Sequence, residues 1–171
     1  MPLELNGTTG VQGNSGAFVS GTAVASTSGT SINFTSIPSW VKRVTVNFNN
    51  VSTNGTSAFL VQIGSGSVQT TGYSSSLWSG GATTINAENG FIASVSNGTY
   101  GFSGIMTINL QNTNTWIATC ISSLTNPTLT ANIGYQCVGN VTLSGALDRV
   151  RFTTFNGTDT FDAGSINILY E

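Results

Sequence analysis

The sequence predicts an all-β protein: an antiparallel β-sandwich of jelly-roll-like type with an extended N-terminal arm. Three observations predict it. Short segments alternate apolar and polar residues, with turn signals about every eight to twelve residues, the spacing of a sandwich or barrel. Charged residues make up 6% of the chain and hydrophobic residues 39%, and Gly, Ser, Thr and Asn stand where charge would be. These residue types compete for backbone hydrogen bonds and resist helix. No segment of useful length carries the helical period, and no repeat of 20–50 residues is visible.

The length of 171 residues suits one domain, large enough to bury about two-thirds of its unfolded surface without a staple. Residues 1–16 are rich in Gly, Asn and Thr, with Leu3, Leu5 and Val11 as their apolar content. They read as an arm that docks on a neighbour or as a disordered leader. A single sandwich domain follows over 17–171.

Residues 18–26 and 31–36 read as the first strands. Pro38 then removes a ladder donor and biases Ile37 to an extended conformation. Such a corner carries a chain from one sheet to the other, with Trp40 as its plug or as a ligand platform. Residues 41–49, VKRVTVNFN, are the clearest central strand, with Val44, Val46 and Phe48 on one face. Asn54-Gly55 predicts a hairpin into 57–63, because both residues tolerate positive φ. Residues 64–90 break the alternation and read as a long loop carrying Tyr73 and Trp78. Long loops in compact domains are often functional. Aromatics there suit stacking on sugar rings or a protein contact, or they fold back over an open end of the sandwich.

The strand pattern resumes at 91–95, 104–111 and 115–121, joined by Asn97-Gly98 and by the Asn-Thr-Asn turn at 112–114. A turn at Asn126-Pro127 precedes strands at 130–137 and 141–147. The closing stretch, 148–171, reads as a hairpin: Val150, Phe152 and Thr154 alternate, Asn156-Gly157 turns, and Ile166, Ile168 and Tyr170 alternate again. Its last strand is expected inside a sheet or closing its edge. If the protein assembles, Leu60, Phe155 and Leu169 are left over on parity as an oligomer interface.

Composition excludes several kinds of chemistry. With no histidine, Ser-His-Asp triads, Cys-His pairs and most zinc sites are absent. Four basic residues are too few to neutralise a nucleic-acid footprint of about six to ten phosphates. No stretch approaches the roughly 20 apolar residues of a membrane span, and the N-terminus lacks a signal-peptide pattern. No cofactor or metal is expected. Asp148, Arg149, Arg151, Asp159 and Asp162 concentrate the charge of the chain. The aspartates read as Asx caps of the terminal turn or as ion-pair partners of the arginines. An acid–base pair needs carboxylates at a defined spacing, which the sequence does not reveal. Calcium wants five or more oxygens, and the 156–162 spacing does not match an EF-hand. Cys120 and Cys137 are either a disulfide closing a loop of about 17 residues, worth about 3 kcal/mol, or two buried thiols.

Three strings resemble structural proteins of tailed bacteriophages, of the tail-fibre or virion-associated kind. They are GTAVASTSGTSINFTSIPSWVKRVTVNFNNVSTNGTSAFLVQIG at 21–64, LDRVRFTTFNGTDTFDAGSINILYE at 147–171 and LNGTTGVQG at 5–13. Together they cover roughly half the chain. The resemblance implies a β-rich virion domain, usually a homotrimer, at the tail or capsid surface, and it carries over no catalytic residues. The expected function is a non-enzymatic tail-fibre or spike element, made in the host cytoplasm, that touches host surface glycans. Its expected partners are further copies of itself and other virion proteins, with no nucleic acid and no membrane insertion. The alternatives are a capsid decoration or head-fibre protein and a stand-alone lectin-like module.

Overall fold

The computed structural model describes residues 4–6, 10–12, 18–79, 84–125 and 133–171. Alternation along the chain turns into strands because each segment has one apolar row to bury. Near the N-terminus, β1 (Glu4–Asn6) and β2 (Gly10–Gln12) pair antiparallel as a separate two-stranded ribbon. Within the arm expected over 1–16, the described residues thus pair with one another. Leu3 lies outside the described residues, and so do the side chains of Leu5 and Val11.

The body is a sandwich of two antiparallel sheets. Its strands, in order, are β3 (Val19–Ser20), β4 (Val24–Ala25), β5 (Ser31–Thr35), β6 (Arg43–Thr53), β7 (Phe59–Ser65), β8 (Ser67–Val68), β9 (Ser74–Ser79), β10 (Thr84–Ala87), β11 (Phe91–Ser94), β12 (Gly101–Asn112), β13 (Thr115–Thr125), β14 (Ile133–Thr142), β15 (Arg149–Thr154) and β16 (Phe161–Tyr170). The larger sheet has nine strands in the order β10-β9-β14-β13-β12-β6-β16-β3, with β4 also on β16. The smaller has five, in the order β11-β7-β15-β5, with β8 on β7. The chain alternates between sheets at β5–β6–β7, β11–β12 and β14–β15–β16. It stays in the larger sheet for the β12–β13–β14 meander.

The core lies between the sheets. Val44, Val46 and Phe48 of β6 point into it, as do Met106 and Ile108 of β12 and Trp116, Ala118 and Leu124 of β13. From the smaller sheet come Phe59, Val61 and Ile63 of β7 and Val150 and Phe152 of β15. At one end the rings converge: Phe152 lies 5.5 Å from Phe59, 5.4 Å from Phe161 and 4.9 Å from Phe48 between centroids. The Ile37-Pro38 corner does carry the chain from β5 in one sheet to β6 in the other. Trp40 sits there half-buried, 6.0 Å from the ring of Tyr170.

The sequence predicts hairpins at Asn54-Gly55 and Asn156-Gly157 and a connection at Asn97-Gly98, and none of the three is a hairpin. Asn54-Gly55 joins β6 to β7, Asn97-Gly98 joins β11 to β12, and Asn156-Gly157 joins β15 to β16. Each pair of strands lies in different sheets, so each turn is an arch across the sandwich. The arches meet at one end. Asn54 N–H donates to Thr160 O, and Thr160 N–H donates to Asn54 Oδ1, both at 2.9 Å. Ser96 Oγ donates to Gly55 O at 3.1 Å. A side chain at Gly55 would displace the Asp159 carboxylate, since a Cβ there would fall on it. A genuine two-residue hairpin does join β12 and β13, where Asn112 pairs with Thr115.

Further differences follow from tertiary pairing. The expected strands over 130–137 and 141–147 are one strand, β14, followed by an irregular 143–148 segment; Asn126-Pro127 lies outside the described residues. β6 continues past Asn49 through a bulge, since both of its neighbours, β12 and β16, skip register there. Asn50 occupies the bulge with φ 51°. The terminal strand β16 lies inside the larger sheet, between β6 and the short β3 and β4.

Candidate functional site

The 64–90 segment is not one long loop. It contains the strands β8, β9 and β10, and β9 pairs with β14 from Ser74↔Asn140 to Ser79↔Tyr135. Serine and threonine are as good on a pleated, half-solvated face as in a turn. Tyr73, a candidate contact residue, is buried at 3% exposure. Its ring meets Phe91 edge-on at 5.0 Å. Its hydroxyl accepts from Ile63 N–H at 2.9 Å and reaches the carbonyls of Ile63 and Gln69, each at 3.1 Å. Burial pushes its pKa well above the ordinary tyrosine range. Tyr73 is therefore a clamp holding the β7–β8 turn, because its one polar atom finds backbone partners inside.

Trp78 stands instead on the solvent face of the larger sheet, 51% exposed. Register defines its surroundings. Ile105 of β12 faces Ile121 of β13, Ile121 faces Gln136 of β14, Gln136 faces Trp78 of β9, and Trp78 faces Thr84 of β10. Val138 lies two residues along β14 on the same face. Ile105, Ile121, Val138 and Trp78 are all exposed. At a strand spacing of about 4.8 Å, Ile105 and Trp78 lie roughly 15 Å apart. This row contains no charged side chain. Beside it, Ser76 Oγ donates to Asn86 Oδ1 at 2.7 Å. An uncharged, flat, partly apolar face with an aromatic ring at one side suits a saccharide or another protein surface.

The charge cluster is not an ion-pair network across a hairpin, because β15 and β16 belong to different sheets. Asp148 pairs with its neighbour Arg149, with Nε donating at 2.7 Å and a terminal nitrogen donating at 3.1 Å. That guanidinium holds the Asp148 carboxyl below the usual carboxylate range, and Gly66 N–H donates to it at 3.0 Å. Asp159 accepts from Ser57 N–H at 2.9 Å and from Asn156 Nδ2 at 2.6 Å. Asp162 accepts from Ser52 Oγ. Arg43 pairs with Glu171. Arg151 has no carboxylate partner among the described residues; its Nε donates to Asn33 Oδ1 at 2.9 Å. No group of three or more His, Cys, Asp or Glu side chains among the described residues is placed to hold a metal.

Cys120 and Cys137 face each other across β13 and β14 but are free, buried thiols, so the candidate disulfide is not formed. The Cys120 thiol lies 3.6 Å from Ala93 O as a donor. Hydrogen bonding with Cys137, then burial, pushes its pKa far up. The thiolate is the reactive form, so iodoacetamide should label neither cysteine in the folded protein and both after denaturation. Rapid labelling under native conditions, or an intact mass showing a disulfide, contradicts this.

The three interface candidates do not share a surface. Leu60 is fully buried, because the 88–90 segment crosses over the outer face of β7; a Cβ on Gly90 would lie 3.2 Å from Leu60 Cβ. It is withdrawn as an interface residue. Leu169 is half-buried on the larger sheet, whereas Phe155 is exposed just beyond β15 of the smaller sheet. Periodicity missed Gln62 and Asn89, which that crossing brings together: Gln62 Nε2 donates to Asn89 O at 2.7 Å. The available signal was a glutamine inside the apolar run FLVQIG. Comparison with protein-family models, curated proteins and solved structures gives no match for this chain.

Proposed function

We propose that the protein is a non-enzymatic structural element of a bacteriophage virion, of tail-fibre or spike type, that contacts host surface glycans. The observation that carries this reading is the uncharged solvent face on which Trp78 stands beside Gln136, Ser76 and Asn86. An aromatic ring covers the apolar face of a sugar, while flanking amides and hydroxyls meet its hydroxyl groups. The carboxylates support a non-catalytic role, since Asp148, Asp159 and Asp162 each accept hydrogen bonds that hold turns or strand ends. Trp78→Ala should slow adsorption of particles carrying it. Its melting transition should stay within about 0.5 kcal/mol of the parent, as for other surface changes. Unchanged adsorption refutes the role of Trp78.

The same face favours a second reading. Ile105, Ile121 and Val138 form an apolar stripe that burial between subunits would remove from water, as in a homotrimer or a capsid decoration protein. Under that reading Ile121→Asp disperses the oligomer, read by light scattering, and leaves the monomer folded. A parent protein that is monomeric at high concentration rejects it.

A further inference from the structure

The smaller sheet has a polar outer face that none of the roles above uses. Asn33 of β5, Arg151 of β15 and Gln62 of β7 form one row across three adjacent strands. The 88–90 crossing walls this row on one side through Asn89, and Phe155 stands at its end. Asn89 Nδ2 lies 3.4 Å from Phe155 O as a donor, which ties wall to end. The cleft these residues line is open to solvent and has a volume of about 320 Å³, within the range of about 300–1,000 Å³ typical of small-molecule sites. A second cavity of about 440 Å³ shares Asn89 and Phe155 with the first and adds Asn86 and Glu88. The two form one groove.

The polar atoms of this groove are mismatched in a specific way. Gln62 is 5% exposed. Its amide nitrogen is used on Asn89 O, which leaves Oε1 buried with no donor from the described residues. Asn89 Oδ1 is in the same condition. Buried acceptors without donors are costly and few in folded proteins. Beside them Arg151 offers the reverse, a guanidinium engaged only through Nε, with its terminal nitrogens free of any carboxylate among the described residues. Phe155 adds an apolar surface, 48% exposed. Two buried acceptors call for hydroxyl donors, a fork of N–H donors calls for a carboxylate, and an aromatic face calls for an apolar ring face.

We infer that this groove binds an acidic saccharide. The sugar carboxylate pairs with Arg151, its ring lies against Phe155, and its hydroxyls donate to Gln62 Oε1 and Asn89 Oδ1 once a turn of each amide brings the oxygen, which water does not reach in this structure, to the groove surface. Glu88, exposed in the second cavity, repels a further acid group there. The carboxylate end of the ligand is therefore held at Arg151, and a neutral portion extends toward Asn86. The site belongs to the smaller sheet and requires neither the Trp78 face nor the virion reading.

The full chain is titrated by calorimetry and ligand-observed NMR with 3′-sialyllactose, which carries one terminal carboxylate on a neutral disaccharide, and with lactose as its neutral counterpart. Sialyllactose should bind saturably, with a Kd at or below about 1 mM, and lactose more weakly. Arg151→Gln should weaken sialyllactose about tenfold or more, the loss of one charge-assisted contact, and leave lactose unchanged. Phe155→Ala should weaken both sugars, and Trp78→Ala neither. Arg151 and Phe155 both reach solvent, so their variants are expected to fold, and a melt of each verifies it. The assignment is overturned by absence of saturable binding, by equal affinity for the two sugars, or by an Arg151→Gln protein that binds sialyllactose like the parent. Loss of binding in Trp78→Ala alone moves the saccharide to the larger sheet and also overturns it.

Discussion

Phe152→Ala is expected to destabilise the protein by about 3–5 kcal/mol, the range for emptying a buried aromatic site. Phe152 has no exposed surface, and its ring is shared among Phe48, Phe59 and Phe161 at centroid distances of 4.9–5.5 Å. Those rings come from both sheets, from β6 and β16 on one side and β7 on the other. The cavity would therefore open at the seam of the sandwich, where neither sheet can collapse into it without breaking its ladder. Domains of this size are stable by about 5–15 kcal/mol, so the loss is a large share of the total. The matched control is Phe155→Ala, three residues on and exposed, where the change should stay within about 0.5 kcal/mol. Urea unfolding of the two variants reads the difference as a midpoint shift at constant slope. Equal midpoints would refute the placement of the core.

Gly164→Ala should cost about 2–5 kcal/mol, from two separable causes. Gly164 has φ 92°, a conformation that costs an L-residue about 1–2 kcal/mol. A Cβ there would also sit 2.4 Å from Asn50 O and 2.5 Å from Asn50 C. Those are backbone atoms of the β6 bulge, held on their other side by Ser103 Oγ, which accepts from Asn50 N–H at 2.9 Å. Overpacking against atoms that cannot retreat adds about 1–3 kcal/mol. Gly157 separates the two causes. It has φ 68° and nothing within 4 Å of a built Cβ, so Gly157→Ala should carry only the conformational part. Thermal melts that show the two variants equally destabilised would remove the steric contribution of the bulge.

Much of the strand content was legible because a period of two is written residue by residue. Val44, Val46 and Phe48 share a buried face in the sequence pattern and in the structure, and so do Met106 and Ile108. The Asn-Thr-Asn turn at 112–114 was legible for the same local reason. The sites were less legible. The pattern around Trp78 identified an aromatic but placed it on a loop, whereas β9 sets it in a row with Ile105, Ile121 and Gln136. Tyr73, its apparent companion, went inside because Ile63 and Gln69 supply backbone partners that only the β7–β8 turn brings within reach. Leu60 looked spare by parity, since alternation assumes that one face of a strand meets water; the 88–90 crossing covers the outer face of β7, and the core covers the inner one.

By itself, the sequence determined that the protein is built of strands, where most of them run, which of their faces are apolar, and that histidine-based chemistry is absent. Those properties are local: a side-chain period and a composition. Only the tertiary structure decided that the Asn-Gly turns are arches between sheets, since such a dipeptide specifies a reversal but not the sheet that receives the next strand. It also decided that Cys120 and Cys137 stand opposed as free thiols, and that Arg151, Gln62 and Asn89 share one groove. These depend on pairing between residues far apart in the chain. Strand register and sheet partner are settled by the joint burial of all the apolar rows at once.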